Sequence, residues 1–256
     1  MSIQTIIKVT AIAIAGFCYN DAKAQSAEEL LSEAKKLEQK YKEKEALDTY
    51  KKVLTVDANN LPALLKISEI HTAMGMRFTE PEHQAPYYHA AKEAIDKAFL
   101  LDKLNSDVLA EMSLVYSLSA DIEKKKEATV DLIKQSKAFA DLAVAQNDKN
   151  PKAYYALGKW CYDMENRNKL IKAAVKVFYG SFDKTNIDST TAYLEKSIAL
   201  DKYFAPGYYY LGKAYNYNRQ YEKAVQVLQQ LAKLPTLTQY YIDVKKLGAD
   251  LYQQLQ

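Results

Sequence analysis

The sequence predicts an all-α fold, an α-solenoid of about five helix–turn–helix repeats with a C-terminal capping helix. Two observations lead to this prediction. Glycine and proline are scarce, with seven and six residues in a chain of 256, as expected of a protein built from helices. Small residues also recur at fixed positions, so that five units of paired helices can be laid end to end over residues 27–238.

The last unit, residues 205–238, shows the pattern most fully. Its packing positions, in order, are Tyr208, Leu211, Gly212, Tyr215, Ala224 and Leu228, and Pro235 ends the second helix. Gly212 and Ala224 are small where the two helices cross, so the two backbones can approach closely. This 34-residue spacing resembles the tetratricopeptide repeat, with Tyr where that pattern often has Trp.

Four more units precede it, at residues 27–60, 61–105, 106–150 and 151–204. At the position equivalent to Gly212 all four have a small residue: Ala34, Ser68, Ser113 and Gly158. At the position equivalent to Ala224 they again have small residues: Ala46, Ala91, Ser136 and Thr190. The alignment requires extra residues between the two helices of the second, third and fourth units.

The first two inserts differ in composition. The insert of the second unit contains Pro81 and Pro86, which break helices, so a loop is expected over residues 74–85. The insert of the third unit, around residues 121–130, has neither proline nor glycine. We expect it to lengthen both helices of that unit by a turn or more.

The fourth unit has the longest insert, and an apolar stripe runs through it from Leu170 to Phe178. This pattern predicts either an extension of the first helix or a short amphipathic helix ended by Gly180, followed by a loop over residues 181–188. Beyond the fifth unit, residues 239–255 have one stripe formed by Tyr240, Val244, Leu247 and Leu251. A single amphipathic helix that covers the open end of the stack is expected there.

The first 24 residues are predicted to be a secretory signal peptide. Lys8 precedes an apolar run over residues 9–17, and Ala22-Lys23-Ala24 is a cleavage site of the A-x-A type, so cleavage is expected between Ala24 and Gln25. Residues 25–256 then form a single domain. This layout favours export, with the periplasm of a gram-negative bacterium as the expected compartment.

Two alternatives to cleavage at Ala24 are open. The apolar run is shorter than the roughly 20 residues that span a bilayer, which argues against a membrane anchor. The sequence ending in Cys18 resembles a lipobox, but Phe17 is bulky where that motif has a small residue, so lipid anchoring at Cys18 is less favoured. No transmembrane segment is expected in the mature chain.

Charge and motifs exclude several classes of function. Without residues 1–24 the chain has 33 basic and 31 acidic residues, which does not favour nucleic acid as a partner. No catalytic residues and no cofactor are predicted, because phosphate-binding loops, nucleophile elbows and metalloprotease motifs are absent from the sequence. Cys161, the remaining cysteine, has a packing position. No metal is predicted, since the histidines and carboxylates near His83 do not recur at a fixed helical spacing that would place them around one ion.

Tyrosine is concentrated in the C-terminal half, where fifteen of the 21 tyrosines follow residue 153. The resemblance implies that the first helix of each unit lines a concave surface on which peptides bind. On this sequence the matching positions of the fourth and fifth units have the predicted partner-binding residues: Tyr155, Lys159, Tyr162, Tyr209, Lys213, Asn216 and Tyr217. Tyrosine suits such a surface because it offers rigid apolar area and a hydroxyl group.

These observations predict an exported, non-enzymatic scaffold that binds a protein or peptide partner in a concave groove. One alternative is a structural subunit of a cell-envelope complex that docks through its outer face or through the insert at residues 165–187. Another alternative is recognition of a cell-wall glycan or a small ligand on the tyrosine-rich face.

Overall fold

The computed structural model describes residues 25–179 and 187–256, and over these residues the chain is helical with short connections. We number the helices in chain order: α1 (Ala27–Gln39), α2 (Glu43–Val56), α3 (Leu61–Gly75), α4 (Pro81–Leu101), α5 (Ser106–Ile122), α6 (Lys126–Gln146), α7 (Pro151–Asn166), α8 (Lys169–Tyr179), α9 (Ile187–Leu200), α10 (Ala205–Tyr217), α11 (Tyr221–Lys233) and α12 (Gln239–Gln254).

Over the described residues, ten helices form five packed pairs, α12 is a capping helix, and α8 lies outside the pairs. The pairs are α1 with α2, α3 with α4, α5 with α6, α7 with α9, and α10 with α11. Each pair also contacts the next one along the chain, and α12 packs on α10 and α11. The predicted all-α solenoid of about five repeats with a C-terminal cap is therefore confirmed.

Small residues allow the two helices of a pair to approach closely. Gly158 on α7 faces Leu194 on α9, and a Cβ built on Gly158 would lie 2.6 Å from Leu194 Cγ. Gly212 on α10 faces Leu228 on α11 in the same way, with 2.8 Å to Leu228 Cδ2. Ala224 is completely buried. These positions are helix crossings, as the sequence pattern predicts.

The turns between repeats share a capping feature that the sequence analysis did not identify. Asn60, Asn105 and Asn150 cap the N-termini of α3, α5 and α7 through their side-chain oxygens. Three residues before the first of these, Asp57 accepts a hydrogen bond from the side-chain amide of Asn60, and Asp102 has the same relation to Asn105. An acidic or amide residue followed three positions later by Asn therefore marks each of these repeat boundaries.

The expected loop over residues 74–85 is wrong in extent. Helix α3 continues to Gly75, α4 begins at Pro81, and only residues 76–80 connect them. Pro81 stands at the first helical position, where its missing N–H costs nothing and its fixed φ favours the helix. Pro86 lies inside α4, so the helix tolerates the loss of one backbone hydrogen bond there.

The other two inserts are close to expectation. Helices α5 and α6 have 17 and 21 residues, so the third repeat is lengthened as predicted. In the fourth repeat the insert forms the separate amphipathic helix α8, which packs on α6 through Ile171 and Val175. The expected helix end at Gly180 lies outside the described residues, as does most of the expected loop over residues 181–188. Helix α9 already begins at Ile187.

The C-terminal region also contacts the first two repeats, which was not predicted. The Tyr41 hydroxyl donates a hydrogen bond to the Thr236 carbonyl at 3.1 Å. Arg77 Nε donates to Asp243 Oδ2 at 2.7 Å. The segment before α12 and the first turns of α12 therefore cross the concave side of the solenoid from the last repeat to the first two.

Candidate functional site

The concave side contains a cavity of about 310 Å³ between the solenoid and its C-terminal segment. Residues of α3, α5 and α7 line it on the solenoid side, and residues 237–241 line it on the opposite side. The first helices of the repeats thus face inward, as the tetratricopeptide resemblance implies. The groove is not an open trough here, because the chain's own C-terminal segment covers this part of it.

Two lysines and two glutamates form an ion-pair chain along the cavity. Glu69 lies between the lysines, with Lys66 Nζ 3.0 Å from Oε2 and Lys152 Nζ 2.5 Å from Oε1. Lys66 also approaches Glu38 at 3.5 Å. Burial acts to raise the pKa of Glu69, but Lys152 and Lys66 outweigh it and lower that pKa to about 2. Glu69 is therefore a permanent anion that joins the second repeat to the fourth.

Glu111 on α5 lines the same cavity but differs from Glu69 in its protonation. Its Oε1 accepts hydrogen bonds from the hydroxyls of Ser68 and Thr72 at 2.9 and 2.8 Å. Among the described residues no lysine or arginine pairs with it. Burial, and after it the negative charge of Glu69, raises the pKa of Glu111 to about 7. This carboxyl group therefore changes its charge near neutral pH.

Tyr155 and Lys159, two of the predicted partner-binding residues, are buried within the protein. The ring of Tyr155 meets the rings of Phe204 and Tyr210 edge to face, with centroids 5.3 and 5.6 Å away. Its hydroxyl shares a hydrogen bond with the hydroxyl of Tyr240 on α12. Lys159 Nζ lies 2.5 Å from Asp163 Oδ2, and only 2% of this lysine is exposed.

The other predicted residues converge on one surface. We call Tyr162, Tyr209, Lys213, Asn216 and Tyr217 the aromatic–lysine face. Tyr217 is 46% exposed, while the other four are half-buried. Tyr162 lies edge-on to Tyr217, with ring centroids 6.3 Å apart, so the face continues from the fourth repeat to the fifth.

Lys213 is at the centre of this face. Its Nζ lies 4.7 Å from the ring centroid of Tyr162, 5.5 Å from that of Tyr209 and 4.8 Å from that of Tyr210. Among the described residues it has no salt bridge. Burial lowers the pKa of Lys213, and the charge of Lys159 acts in the same direction, while Asp163 opposes both. Aromatic rings stabilise the ammonium group, but a direct counter-ion is missing from the described contacts.

Several residues of the concave side were missed by the sequence analysis. Tyr210 was not predicted as part of the face, although its ring completes the contacts of Lys213. Glu111 could have been noticed from the sequence. It is the only charged residue between Asp107 and Asp121, and the other residues of that stretch are apolar or carry a hydroxyl group. The contribution of Tyr240 depends on where α12 folds back, which no local pattern indicates.

Metal sites and membrane spans have no candidates in the part of the chain that the structure describes. No group of three or more His, Cys, Asp or Glu side chains there could hold a metal ion. None of the described helices combines the length and the hydrophobicity needed to cross a bilayer. Cys161 is buried, and burial raises the pKa of its thiol to about 12.

Solved structures with a similar fold are tetratricopeptide proteins. The protein TTC0263 of Thermus thermophilus has 14% identity and a TM-score of 0.61, covering 89% of this chain and 100% of its own. PilF of Pseudomonas aeruginosa has 14% identity and a TM-score of 0.43, covering 90% of each chain. YrrB, described as a protein with an unusual peptide-binding site, has 17% identity and a TM-score of 0.41, covering 89% of this chain and 92% of its own.

The tetratricopeptide resemblance is therefore confirmed at the level of fold. A search of curated proteins found no significant match. Among protein families, the one described as regulator of microtubule dynamics protein 1-3 matches residues 30–256, which include almost all of the repeat region and the capping helix. The chain belongs to the family that carries this description.

Proposed function

We propose that the protein is a non-enzymatic scaffold that binds an acidic segment of a protein partner on the aromatic–lysine face. The observation that carries the proposal is Lys213, an ammonium group held between three tyrosine rings without a salt bridge among the described residues. A carboxylate from a partner would supply the missing counter-ion. Tyr209 and Tyr217 would supply apolar contact area beside it, as tyrosine does at many interfaces.

The name of the family refers to the regulation of microtubule dynamics by other members. For this chain we propose only the chemistry of the partner, an acidic peptide segment, and not its identity. The described concave cavity is covered by the C-terminal segment, so the proposed contact uses the rim formed by α7 and α10 and not the bottom of the groove.

The test compares capture of a partner by three proteins. In-cell crosslinking with mass spectrometry identifies the partner of the unchanged protein, and capture is then repeated with Lys213→Gln combined with Tyr217→Ala. We expect recovery to fall by about tenfold or more, which corresponds to the loss of a single strong interface contact. Lys213 is half-buried and Tyr217 is exposed, so the circular dichroism spectrum should not change.

The chain offers a matched control for this experiment. Lys223 Nζ lies 5.3 Å from the ring centroid of Tyr215 in the same repeat, but Lys223 is exposed on α11, away from the face. Lys223→Gln removes the same charge from a similar contact and should leave capture unchanged. Equal capture by the unchanged protein and the Lys213→Gln, Tyr217→Ala protein would contradict the proposal, as would equal loss in the control.

A second candidate function rests on helix α8. Leu170 and Val177 on this helix are 71% and 80% exposed, so part of its apolar surface has no neighbour among the described residues. This favours the structural-subunit alternative, in which the insert at residues 165–187 docks onto a larger complex. Leu170→Ser with Val177→Ser would then abolish co-purification with the complex, while the variant of the aromatic–lysine face would retain it.

We also propose that the protein acts after export, with residues 1–24 removed. The supporting observation is the A-x-A cleavage site that precedes Gln25. Mass spectrometry of the mature N-terminus tests this directly. A peptide that begins at Gln25 supports the proposal, whereas a lipid-modified peptide that begins at Cys18 or an intact N-terminus would contradict it.

A further inference from the structure

We propose that the cavity beneath the C-terminal segment is a binding site for an organic ammonium cation, with Glu111 as the carboxylate that receives it. The site is separate from the aromatic–lysine face, and the inference does not depend on the proposed partner. The occupant has one ammonium group and an apolar or aromatic body. Such a group can belong to a free amine or to the side chain of a lysine.

The charge of the cavity wall favours a cation. Five carboxylates but only two lysines line the cavity. Arg77 neutralises one of the carboxylates, Glu43, through two hydrogen bonds of 2.6 and 2.8 Å. Both lysines form ion pairs with Glu69, and Lys66 also lies 3.5 Å from Glu38, so among the described ion pairs neither lysine is paired with Glu111 or Asp201. The remaining wall is acidic, and a bound cation would balance it.

Glu111 is the group best placed to receive the ammonium. It is buried, with 6% of the residue exposed. Both of its hydrogen bonds are accepted by Oε1, and among the described residues none is made to Oε2. Oε2 is not among the fully buried atoms that lack a partner, and Glu111 lines the cavity, so a ligand can reach this oxygen from the cavity. The hydrogen bonds to Oε1 fix the orientation of the carboxylate and leave Oε2 for the ligand.

Aromatic rings line the cavity beside this carboxylate. Tyr155, Phe204, Tyr240 and Tyr241 all contribute to its wall. Rings attract organic cations through their negative faces, and a carboxylate together with aromatic rings is a suitable combination for ammonium recognition. The volume of about 310 Å³ is at the lower end of the range for small-molecule sites, so a small ligand is expected.

Phenethylammonium is a suitable probe, because it combines a primary ammonium with one aromatic ring. Titration calorimetry should show that it binds the full protein about tenfold or more tightly than its neutral analogue 2-phenylethanol, and that the anion phenylacetate does not bind. Equal binding of phenethylammonium and 2-phenylethanol would overturn the proposal, because the site would then recognise only the aromatic ring.

Glu111→Gln keeps the size of the side chain and an acceptor oxygen for Ser68 and Thr72. We expect this variant to lose the preference for the cation over the neutral analogue. Glu127→Gln is the matched control, since Glu127 is exposed on α6 and outside the cavity. A Glu111→Gln protein that retains the preference would refute the assignment of Glu111.

A measurement on the unchanged protein keeps the test decisive if the variant folds poorly. Several titratable groups line the cavity with Glu111: Glu38, Glu43, Lys66 and Glu69 from the first two repeats, Lys152 and Tyr155 from α7, Asp201 before α10, and Tyr240 and Tyr241 from α12. Burial also raises the pKa of Glu38, and Glu111 is the carboxylate whose pKa is raised to about 7. Binding at pH 6 should therefore release a proton, seen as a heat that depends on the buffer, and affinity should fall at lower pH. Affinity that does not vary between pH 5 and pH 8 would overturn the proposal.

The source of the ammonium is decided by a third probe, Nα-acetyl-lysine methylamide. Tighter binding of this lysine analogue than of phenethylammonium assigns the cavity to a lysine of a peptide partner. Tighter binding of phenethylammonium assigns it to a free amine. Either outcome supports ammonium recognition, while failure of both cations to bind at millimolar concentration contradicts it.

Discussion

Arg77 and Asp243 are joined by a hydrogen bond of 2.7 Å between Nε and Oδ2, although 166 residues separate them in the sequence. The two other nitrogens of the same guanidinium donate to Glu43 at the start of α2. Arg77, which lies in the turn after α3, therefore links the first repeat to the capping helix. This contact makes the C-terminal segment part of the concave wall and not only a cover for the last repeat.

Replacing Arg77 by Met should loosen α12 from the first repeats. The arginine is partly exposed, so we expect a loss of about 1 kcal/mol in the free energy of unfolding, with the larger effect on local protection. Hydrogen exchange of the amides of residues 239–247 should become faster. Arg167→Met is the control, because it breaks a different Arg–Asp pair, with Asp121, and should leave these amides unchanged.

Gly158→Ala should destabilise the fourth repeat. The added methyl group would meet Leu194 Cγ at 2.6 Å and the Leu194 backbone nitrogen at 3.3 Å. Cγ can move only if χ1 of this completely buried leucine rotates, and the backbone nitrogen can move only if the helix shifts. Overpacking of about 2–3 kcal/mol outweighs the gain of about 1 kcal/mol in helix propensity, so a net loss of about 1–2 kcal/mol is expected in denaturant titrations.

Gly248→Ala provides the comparison. Its new methyl group would meet the terminal Cδ2 of Leu231 at 2.5 Å, with the next atom at 3.5 Å, so rotation of one side chain can relieve the contact. We expect this change to be within about 0.5 kcal/mol of neutral, because the gain in helix propensity offsets the adjustment. Equal destabilisation by the two substitutions would contradict the claim that the helices approach more closely at Gly158 than at Gly248.

Glu111→Gln should change the dependence of stability on pH. The pKa of Glu111 is raised from 4.5 to about 7 in the folded protein. The stabilising contribution of its protonated form is complete below pH 4.5 and is lost as the pH rises through about 7. The variant should therefore gain stability relative to the unchanged protein between pH 5 and pH 8, by on the order of a few kcal/mol.

Chemical denaturation at several pH values measures this difference directly. Glu69 does not interfere, because its pKa is lowered to about 2 and its stabilising contribution is lost only as the pH falls from 4.5 through that value. The Glu127→Gln protein should follow the unchanged protein at every pH. A difference between Glu111→Gln and the unchanged protein that stays constant from pH 5 to pH 8 would contradict a raised pKa.

Cys161 should resist alkylation in the folded protein. Burial raises the pKa of its thiol to about 12, so little thiolate forms at neutral pH. Only 2% of the residue is exposed, so a reagent does not reach the sulfur. Mass spectrometry of the peptide that contains Cys161 should show labelling by iodoacetamide only after unfolding. An Ala173→Cys protein supplies the positive control, because Ala173 is exposed on α8. Rapid labelling of Cys161 in the native protein would contradict the packing described.

Much of the fold could be predicted because the spacing that defines a repeat is local. Gly212 and Ala224 are small for a reason that acts between two consecutive helices, so a pattern within 34 residues reveals it. The structure of the first insert was harder to predict, since Pro81 favours a helix at its first position and opposes one elsewhere. The same residue type therefore indicates opposite structures, and only the actual start of α4 decides between them.

The candidate site was predicted less completely. Lys213, Tyr209 and Tyr162 were predicted as partner-binding residues because the resemblance implies which positions face inward, and partner binding at them stays a prediction. Tyr155 and Lys159 occupy equivalent positions, yet both are buried, because Tyr210, Asp163 and the capping helix enclose them. Contacts between residues far apart in the sequence decide exposure at these positions, and periodicity contains no information about such contacts.

The sequence by itself determined that this chain forms paired helices, where the pairs begin, and which side of each pair faces inward, because these properties follow from side-chain size and spacing along neighbouring helices. Only the tertiary structure decided that the capping helix returns to the second repeat through Arg77 and Asp243, and that Glu111 lies in a cavity beneath it. The path of the chain beyond the last repeat depends on the summed geometry of all five pairs. That sum is fixed by packing across the whole molecule and not by any single stretch of residues.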